Sequence, residues 1–186
     1  MDPRLQELID HHEIRQLLAT YCHGCDRADE VEMASVYRED SWDDHGTYKM
    51  PGRPFSIQTV SDALATTDLV AHLLGQSQIR VTGDKAGAET YFIATLLYPP
   101  KHEGEPQTIG QLGGRYVDAL VREEGKWSLE NRICIREWSH SHPVAGDWLA
   151  HAGFAVQHRG QADASYAALG LTHSGNPWLH EVAQSG

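Results

Sequence analysis

Apolar residues in the first twenty-one positions recur at steps of three and four, with one slip between Ile9 and Ile14, which is the spacing of one face of an α-helix. These positions are Leu5, Leu8, Ile9, Ile14, Leu17, Leu18 and Tyr21. The pattern predicts an amphipathic helix that ends near Gly24, since glycine adopts the left-handed conformation of a helix stop without steric cost. Asp29 with Glu32 three residues later predicts the start of a second helix with a side-chain cap.

The next segment predicts one short strand and a third helix. The strand is predicted at Ser41–Tyr48. Pro51–Pro54 predicts a loop that no helix crosses, because proline lacks the amide donor that a helix interior needs. Apolar residues at three- and four-residue steps from Ile57 to Leu64 predict the helix, and Ser56 is its expected N-cap.

Four extended segments, separated by glycine and proline turn signals, follow the helices. They are Val70–Thr82, Ala86–Tyr98, Thr108–Glu123 and Lys126–Trp138. Such segments predict a meander of long antiparallel strands. Helices placed before a meander predict an α+β fold, here a cone-shaped barrel in which a strongly bent antiparallel sheet wraps over three N-terminal helices. The hollow of that sheet is the expected ligand site.

Length and charge limit the function classes. The chain has 186 residues, which fits one domain; we expect a cone domain at 1–142 and a C-terminal tail at 143–186 that forms a lid or a subunit contact. A formal net charge of −11 argues against a nucleic-acid partner. No apolar signal region precedes the first helix, and the longest apolar run, Tyr91–Tyr98, is too short to span a membrane. We therefore expect a cytoplasmic protein without a membrane partner.

The pair Cys22-His-Gly-Cys25 has the spacing of a redox or zinc motif. A thioredoxin-like pair opens a helix, however, whereas this pair closes one, and no second pair completes a zinc site. We interpret the two cysteines as small residues near the core.

Histidine-rich positions raise a second metal hypothesis. His140 and His142, together with the segment Asp43–His45, have the donor types of a two-histidine, one-carboxylate site. Pro143 follows at once and no helical histidine pair supports the site, so we expect solvated polar residues at the rim. The prediction is that the protein uses neither a metal nor an organic cofactor.

Several short motifs, taken in order, carry a family resemblance. They are Tyr21…Asp26-Arg-Ala-Asp29, His72-Leu-Leu-Gly75, Ala88-Glu-Thr-Tyr91, Gly113-Gly-Arg-Tyr116 and Gly125-Lys-Trp127…Arg136. Over roughly Leu5 to Trp138 the chain resembles the SnoaL-like branch of the nuclear transport factor 2-like superfamily. The resemblance implies a cone fold, assembly as dimers or trimers, and enzymes that remove water or a hydrogen halide without a cofactor, using a paired Asp and His.

The same resemblance implies four site residues. Asp26 and His72 fall at the positions of the paired Asp and His. Tyr21, five residues before Asp26, and Arg136, on the last strand, fall where a dehydratase of the family has an active-site Tyr and Arg. That enzyme has a further active-site Asp, whose position corresponds to one near Ala94 in this chain. No carboxylate is present there, so the resemblance does not imply the same substrate or reaction.

Tyr21 and Arg136 each keep an alternative interpretation. Tyr21 also fits the apolar stripe of the first helix and therefore a core position. Strand alternation places Arg136 with Arg132 on the face opposite the core. Only a β-bulge would turn Arg136 into the hollow; otherwise it is a surface or subunit-interface residue.

These residues match the chemistry of elimination beside a carbonyl, which needs a base that titrates near neutral pH and a donor for the developing oxyanion. His72 oriented by Asp26 supplies the base, Tyr21 donates to a substrate oxygen, and Arg136 stabilises negative charge. The expected function is a cofactor-independent lyase or isomerase acting on a small, mostly apolar carbonyl compound. The alternative is a non-catalytic module of the same fold that binds small molecules or forms assemblies.

Overall fold

The structure is a computed structural model that describes residues 2–144, 146 and 152–171. Within these residues the elements are α1 (Pro3–Arg27), α2 (Glu30–Ala34), β1 (Tyr37–His45), β2 (Tyr48–Pro51), α3 (Gly52–Thr66), β3 (Leu69–Thr82), β4 (Lys85–Tyr98), β5 (Thr108–Glu123), β6 (Lys126–Pro143), a 3-10 turn (Gly160–Ala162) and α4 (Ala164–Leu169). Three helices come before the long strands, so the predicted α+β class is confirmed.

The strands form one curved sheet with the order β2-β1-β6-β5-β4-β3. The predicted antiparallel meander is β3 to β6. β1 joins this meander by pairing with β6 in parallel. β2 and β3 remain edges, so the sheet curls around the helices without closing into a barrel. Its concave face therefore makes a hollow that α1 and α3 cover.

The first helix is longer than predicted. It continues to Arg27 and ends at Ala28, which has the left-handed conformation with φ of 53°. The helix stop predicted at Gly24 is therefore wrong. A Cβ at Gly24 would lie 2.5 Å from the backbone nitrogen of Met33, so glycine is needed for close approach to α2. The Asp29 cap is confirmed, because its side chain accepts from the Glu32 amide at 2.9 Å.

The third helix begins earlier than predicted. Pro51 is at the N-cap and Pro54 lies in the first turn, where a proline loses no helical hydrogen bond. The loop predicted over these positions and the Ser56 cap are both wrong. Ser56 is buried inside α3, where its hydroxyl donates to the carbonyl of Gly52 at 3.1 Å.

The described part of the C-terminal segment packs against the ends of α1 and α2. Tyr166 is buried and its hydroxyl donates to Asp29 at 2.7 Å. Arg27 forms an ion pair with Asp163 at 3.0 Å. Residues 145, 147–151 and 172–186 lie outside the described part, so the lid or subunit role of the tail stays a prediction.

Among the helices that the structure describes, none has both the length and the apolar character needed to cross a lipid bilayer.

Candidate active site

Asp26 and His72, forty-six positions apart in the sequence, form a hydrogen-bonded pair. The Oδ1 atom of Asp26 lies 2.6 Å from Nδ1 of His72, and Oδ2 accepts from the His72 backbone amide at 2.9 Å. The side chain of His72 is 9% exposed and that of Asp26 is 14% exposed. The carboxylate thus fixes both the ring and the backbone of the histidine. When Nδ1 carries the proton that is donated to Asp26, the lone pair of the neutral ring is on Nε2.

The elements around this pair explain its position. Asp26 lies in the last turn of α1, which packs on β3. His72 pairs with Ala94 of β4, which pairs with Leu112 of β5, and Leu112 pairs with Ser139 of β6. Directly paired residues share a face of a sheet. His72 therefore belongs to a cross-strand row on the concave face.

Tyr21 is buried on the same concave side of the sheet. It is a core residue, as one of the two interpretations predicts, and it also makes polar contacts. Its hydroxyl lies 3.4 Å from Nε2 of His45, and its ring lies 4.2 Å from the guanidinium carbon of Arg132. Burial raises the pKa of Tyr21 well above its ordinary value, while the charge of Arg132 acts in the opposite direction. Tyr21 is therefore a protonated hydroxyl donor.

Arg136 is not brought against the pair of Asp26 and His72. A β-bulge does turn it to the concave face, because β6 carries one extra residue at Glu130 relative to β5. Arg136 pairs with Gly114 in the row next to that of His72. Its side chain is nevertheless exposed, and Nη1 donates to Ser139 at 2.9 Å.

The same bulge buries Arg132, which simple strand alternation predicts on the outer face. That placement is wrong: Arg132 is fully buried, and Nε and Nη2 donate to the carboxylate of Asp118 at 2.7 and 2.8 Å. Its guanidinium lies between the rings of Tyr21 and Tyr116. Burial alone lowers the pKa of Arg132, but the Asp118 charge and hydrogen bonds outweigh it and raise that pKa.

Asp43 and His45, predicted from the sequence only as possible metal ligands, form a second aspartate–histidine pair. Asp43 is fully buried, accepts from the hydroxyl of Tyr37 and contacts Nδ1 of His45 through its other oxygen. The His45 ring stacks on Phe55 with centroids 4.5 Å apart. The alternation of β1 puts Asp43 and His45 on one face, and this was the signal available in the sequence.

His140 and His142 lie elsewhere. Their side chains are exposed and their rings stack on each other with centroids 5.8 Å apart. In the described part of the chain they do not join Asp43 and His45 in a ligand cluster.

One group of metal-binding atom types does occur at the first pair. The donor atoms of Cys25, Asp26 and His72 lie within 4.8 Å of one another. Burial raises the pKa of the Cys25 thiol well above its ordinary value, and burial raises that of Cys22 to about 12. Both thiols are therefore protonated at neutral pH. The residues present fit a hydrogen-bonded Asp and His better than a thiolate metal centre.

A cleft of about 820 Å³ opens at the end of the concave face. It is bounded by the C-terminal end of α3 and by β4, β5 and β6. Leu112 and Ser139, which share the cross-strand row of His72, line it. Its volume lies within the range of small-molecule pockets.

The fold and this site define a cone-like α+β protein whose hollow contains a partly buried, hydrogen-bonded Asp and His. The chain belongs to the family of SnoaL-like domains, whose family model matches residues 6–133. An uncharacterised protein of Mycobacterium tuberculosis is 28% identical over 129 residues, which cover 68% of this chain and 85% of that protein.

Two solved structures show the same fold. A candidate scytalone dehydratase from Novosphingobium aromaticivorans has a TM-score of 0.64 at 19% identity, covering 74% of this chain and 91% of that chain. A hexachlorocyclohexane dehydrochlorinase from Novosphingobium barchaimii has a TM-score of 0.64 at 18% identity, covering 77% of this chain and 96% of that chain.

Proposed function

We propose that this protein is a cofactor-independent lyase or isomerase that takes a proton from a small, mostly apolar carbonyl compound and eliminates water or a hydrogen halide. The observation that carries the proposal is the contact of 2.6 Å between Asp26 and His72. The family to which the chain belongs supports the proposal. The cleft lies on the same concave face, but the residues that line it do not include Asp26, His72 or Tyr21.

His72 is the proposed base. Its Nε2 takes the proton from the carbon next to the substrate carbonyl, and the C–H electron pair becomes the new C=C bond while the leaving group departs with its own bonding pair. Asp26 holds the tautomer that leaves Nε2 free and stabilises the imidazolium that forms. General base catalysis of this kind contributes about 10²–10⁴-fold.

Tyr21 is the proposed donor to a substrate oxygen, because its hydroxyl stays protonated in the hollow. Arg136 faces the same hollow from an exposed position. Its proposed role is to contact a negatively charged group of a substrate that enters through the open end. A buried donor and a cation at the entrance fit a mostly apolar compound with a carbonyl group.

The test uses β-hydroxy ketones on aryl, decalin and steroid skeletons, with the conjugated enone followed by its absorbance. We expect the wild type to convert at least one of them, and His72→Gln to slow that reaction by about 10²–10⁴-fold. His102→Gln is the matched control, because His102 lies in an exposed turn. Equal rates for wild type and His72→Gln on every accepted compound would contradict the proposal.

Two other functions give different results in this assay. A non-catalytic binding module retains affinity for the ketones without converting them. A metal-dependent enzyme, whose ligands would be Cys25, Asp26 and His72, loses activity on treatment with a chelator and contains stoichiometric metal. The proposed base chemistry is unaffected by chelation.

The proposal also includes a cytoplasmic location. Cys22, Cys25 and Cys134 are all free thiols in the structure. Free cysteines without a disulfide fit a reducing compartment.

A further inference from the structure

The second pair, Asp43 and His45, is connected to the proposed site through Tyr21. Nδ1 of His45 contacts Asp43, and Nε2 of the same ring lies 3.4 Å from the Tyr21 hydroxyl. A contact of this length is common for catalytic hydrogen bonds before a substrate binds. The three side chains form a continuous chain of polar atoms that ends at the proposed oxygen donor.

The surroundings of Asp43 indicate which side chain accompanies its buried carboxylate. The Asp43 carboxyl group has no exposed surface, and a buried carboxylate is costly unless a cation accompanies it. Arg132, the nearby cation, donates through Nε and Nη2 to Asp118. In the described part of the chain, the basic side chain in direct contact with Asp43 is His45. His45 is therefore the basic group that accompanies the buried carboxylate of Asp43.

The other groups around His45 do not replace this role. Phe55 of α3 covers one side of the ring, and the Tyr116 ring of β5 lies 6.0 Å from it. Asp44, the neighbouring residue of β1, pairs with Lys49 at 2.9 Å. The His45 side chain is still 18% exposed, which allows it to exchange protons with water.

We propose that Asp43 and His45 supply a proton, through Tyr21, to the leaving oxygen of the substrate. This inference rests on the proposed elimination reaction. Nε2–H of His45 donates to the Tyr21 oxygen, and the Tyr21 hydroxyl donates to the leaving group. His45 is a positioning and proton-supplying residue, and Tyr21 is the residue that touches the substrate.

The step balances without any co-reactant. His72 takes the C–H proton, and the C–O bond breaks with its electron pair on oxygen. That oxygen takes the Tyr21 proton and leaves as water, and the Tyr21 oxygen takes the proton from His45. One turnover leaves His72 protonated and His45 neutral, and exchange with solvent restores both.

The leaving group provides the test. A hydroxyl group needs a proton to depart, whereas nitrophenoxide departs as a stable anion. We expect His45→Gln and Asp43→Asn to slow elimination from a β-hydroxy ketone by about 10²-fold, and elimination from the matching β-nitrophenoxy ketone by about one-tenth of that factor. Tyr21→Phe keeps the ring packing and leaves the contact between His45 and Asp43 in place. This variant should show the same difference between the two substrates.

The controls separate this inference from the proposed function. His72→Gln should slow both eliminations equally, since both need the base. If His45→Gln and Tyr21→Phe also slow both substrates equally, the relay is wrong and the residues are structural. If the wild type converts neither substrate, the proposed function fails first.

Discussion

The carboxylate of Asp26 binds His72 twice, through ring Nδ1 at 2.6 Å and through the backbone amide at 2.9 Å. The last turn of α1 and the first residues of β3 are therefore joined by one side chain. This arrangement removes the freedom of the imidazole to rotate. It also ties the orientation of the proposed base to the packing of α1 on the sheet.

Asp26→Asn is expected to lower kcat/KM for an accepted ketone by about 10²–10⁴-fold. The amide can donate to Nδ1, which then holds the wrong tautomer of His72. Steady-state kinetics with the β-hydroxy ketone measures the effect. An Asn variant within about twofold of wild type would show that the carboxylate does not orient the base.

Asp118→Ala is expected to destabilise the fold by about 3–5 kcal/mol, because it leaves the charge of the fully buried Arg132 without its partner. Urea unfolding followed by tryptophan fluorescence measures the free energy of unfolding. Glu137→Gln is the control, since Glu137 pairs with Arg115 in an exposed position. The control should leave the unfolding midpoint unchanged. Equal midpoints for Asp118→Ala and wild type would contradict the assigned ion pair.

The contact between His23 and Glu32 predicts a pH-dependent stability. The hydrogen bond that Nδ1 of His23 donates to the carboxylate of Glu32 at 2.6 Å raises the pKa of His23 in the folded protein. Because the folded pKa is raised, the stabilisation is fully present below the unfolded value of about 6.5 and is lost as pH rises through the folded pKa. The difference in unfolding free energy between wild type and His23→Gln should therefore shrink with rising pH. A difference in unfolding free energy that grows with rising pH would contradict the raised pKa of His23.

Tyr166→Phe tests the attachment of the C-terminal segment. The change leaves the buried carboxylate of Asp29 without the donor at 2.7 Å, which costs about 1–3 kcal/mol. Chemical denaturation measures the loss, and Tyr98→Phe is the control because Tyr98 is half-exposed. The same contacts indicate that removal of residues 145–186 lowers the stability of the domain. No loss in either variant would mean that the segment is not held through Tyr166.

Self-association is proposed through the convex face of the sheet. Leu73, Ile93 and Trp138 form an exposed apolar row there, and Trp138 packs over Gly113. Such rows on a sheet are covered by a partner copy in many assemblies. Leu73→Glu should convert a dimer or trimer to monomer in size-exclusion chromatography with light scattering. The exposed-turn variant Glu103→Lys should keep the wild-type mass, and a Leu73→Glu protein of unchanged mass would exclude this face.

The helices and long strands could be predicted from the sequence because their signals are local. The apolar spacing from Leu5 to Tyr21 and the turn signals after Thr82 and Tyr98 each depend on neighbouring residues alone. Element ends were less predictable. Gly24 has the properties of a helix stop, yet the approach of α2 decided its role.

The site was only partly predictable. Asp26 and His72 were predicted from the family resemblance, since no local pattern relates residues forty-six positions apart. Alternation along β6 failed after the bulge at Glu130, because one extra residue exchanges the two faces of a strand. That exchange buried Arg132, and the sequence contains no local sign of it.

The sequence by itself determined the order and kind of the elements, since periodicity and turn chemistry act within a few residues. Only the tertiary structure decided which polar side chains meet under the curved sheet. Asp43, His45 and Tyr21 come together because β1 pairs with β6 and α1 packs against β6, a matter of strand register and helix packing. Those contacts are long-range, so their physical cause lies in the folded chain as a whole.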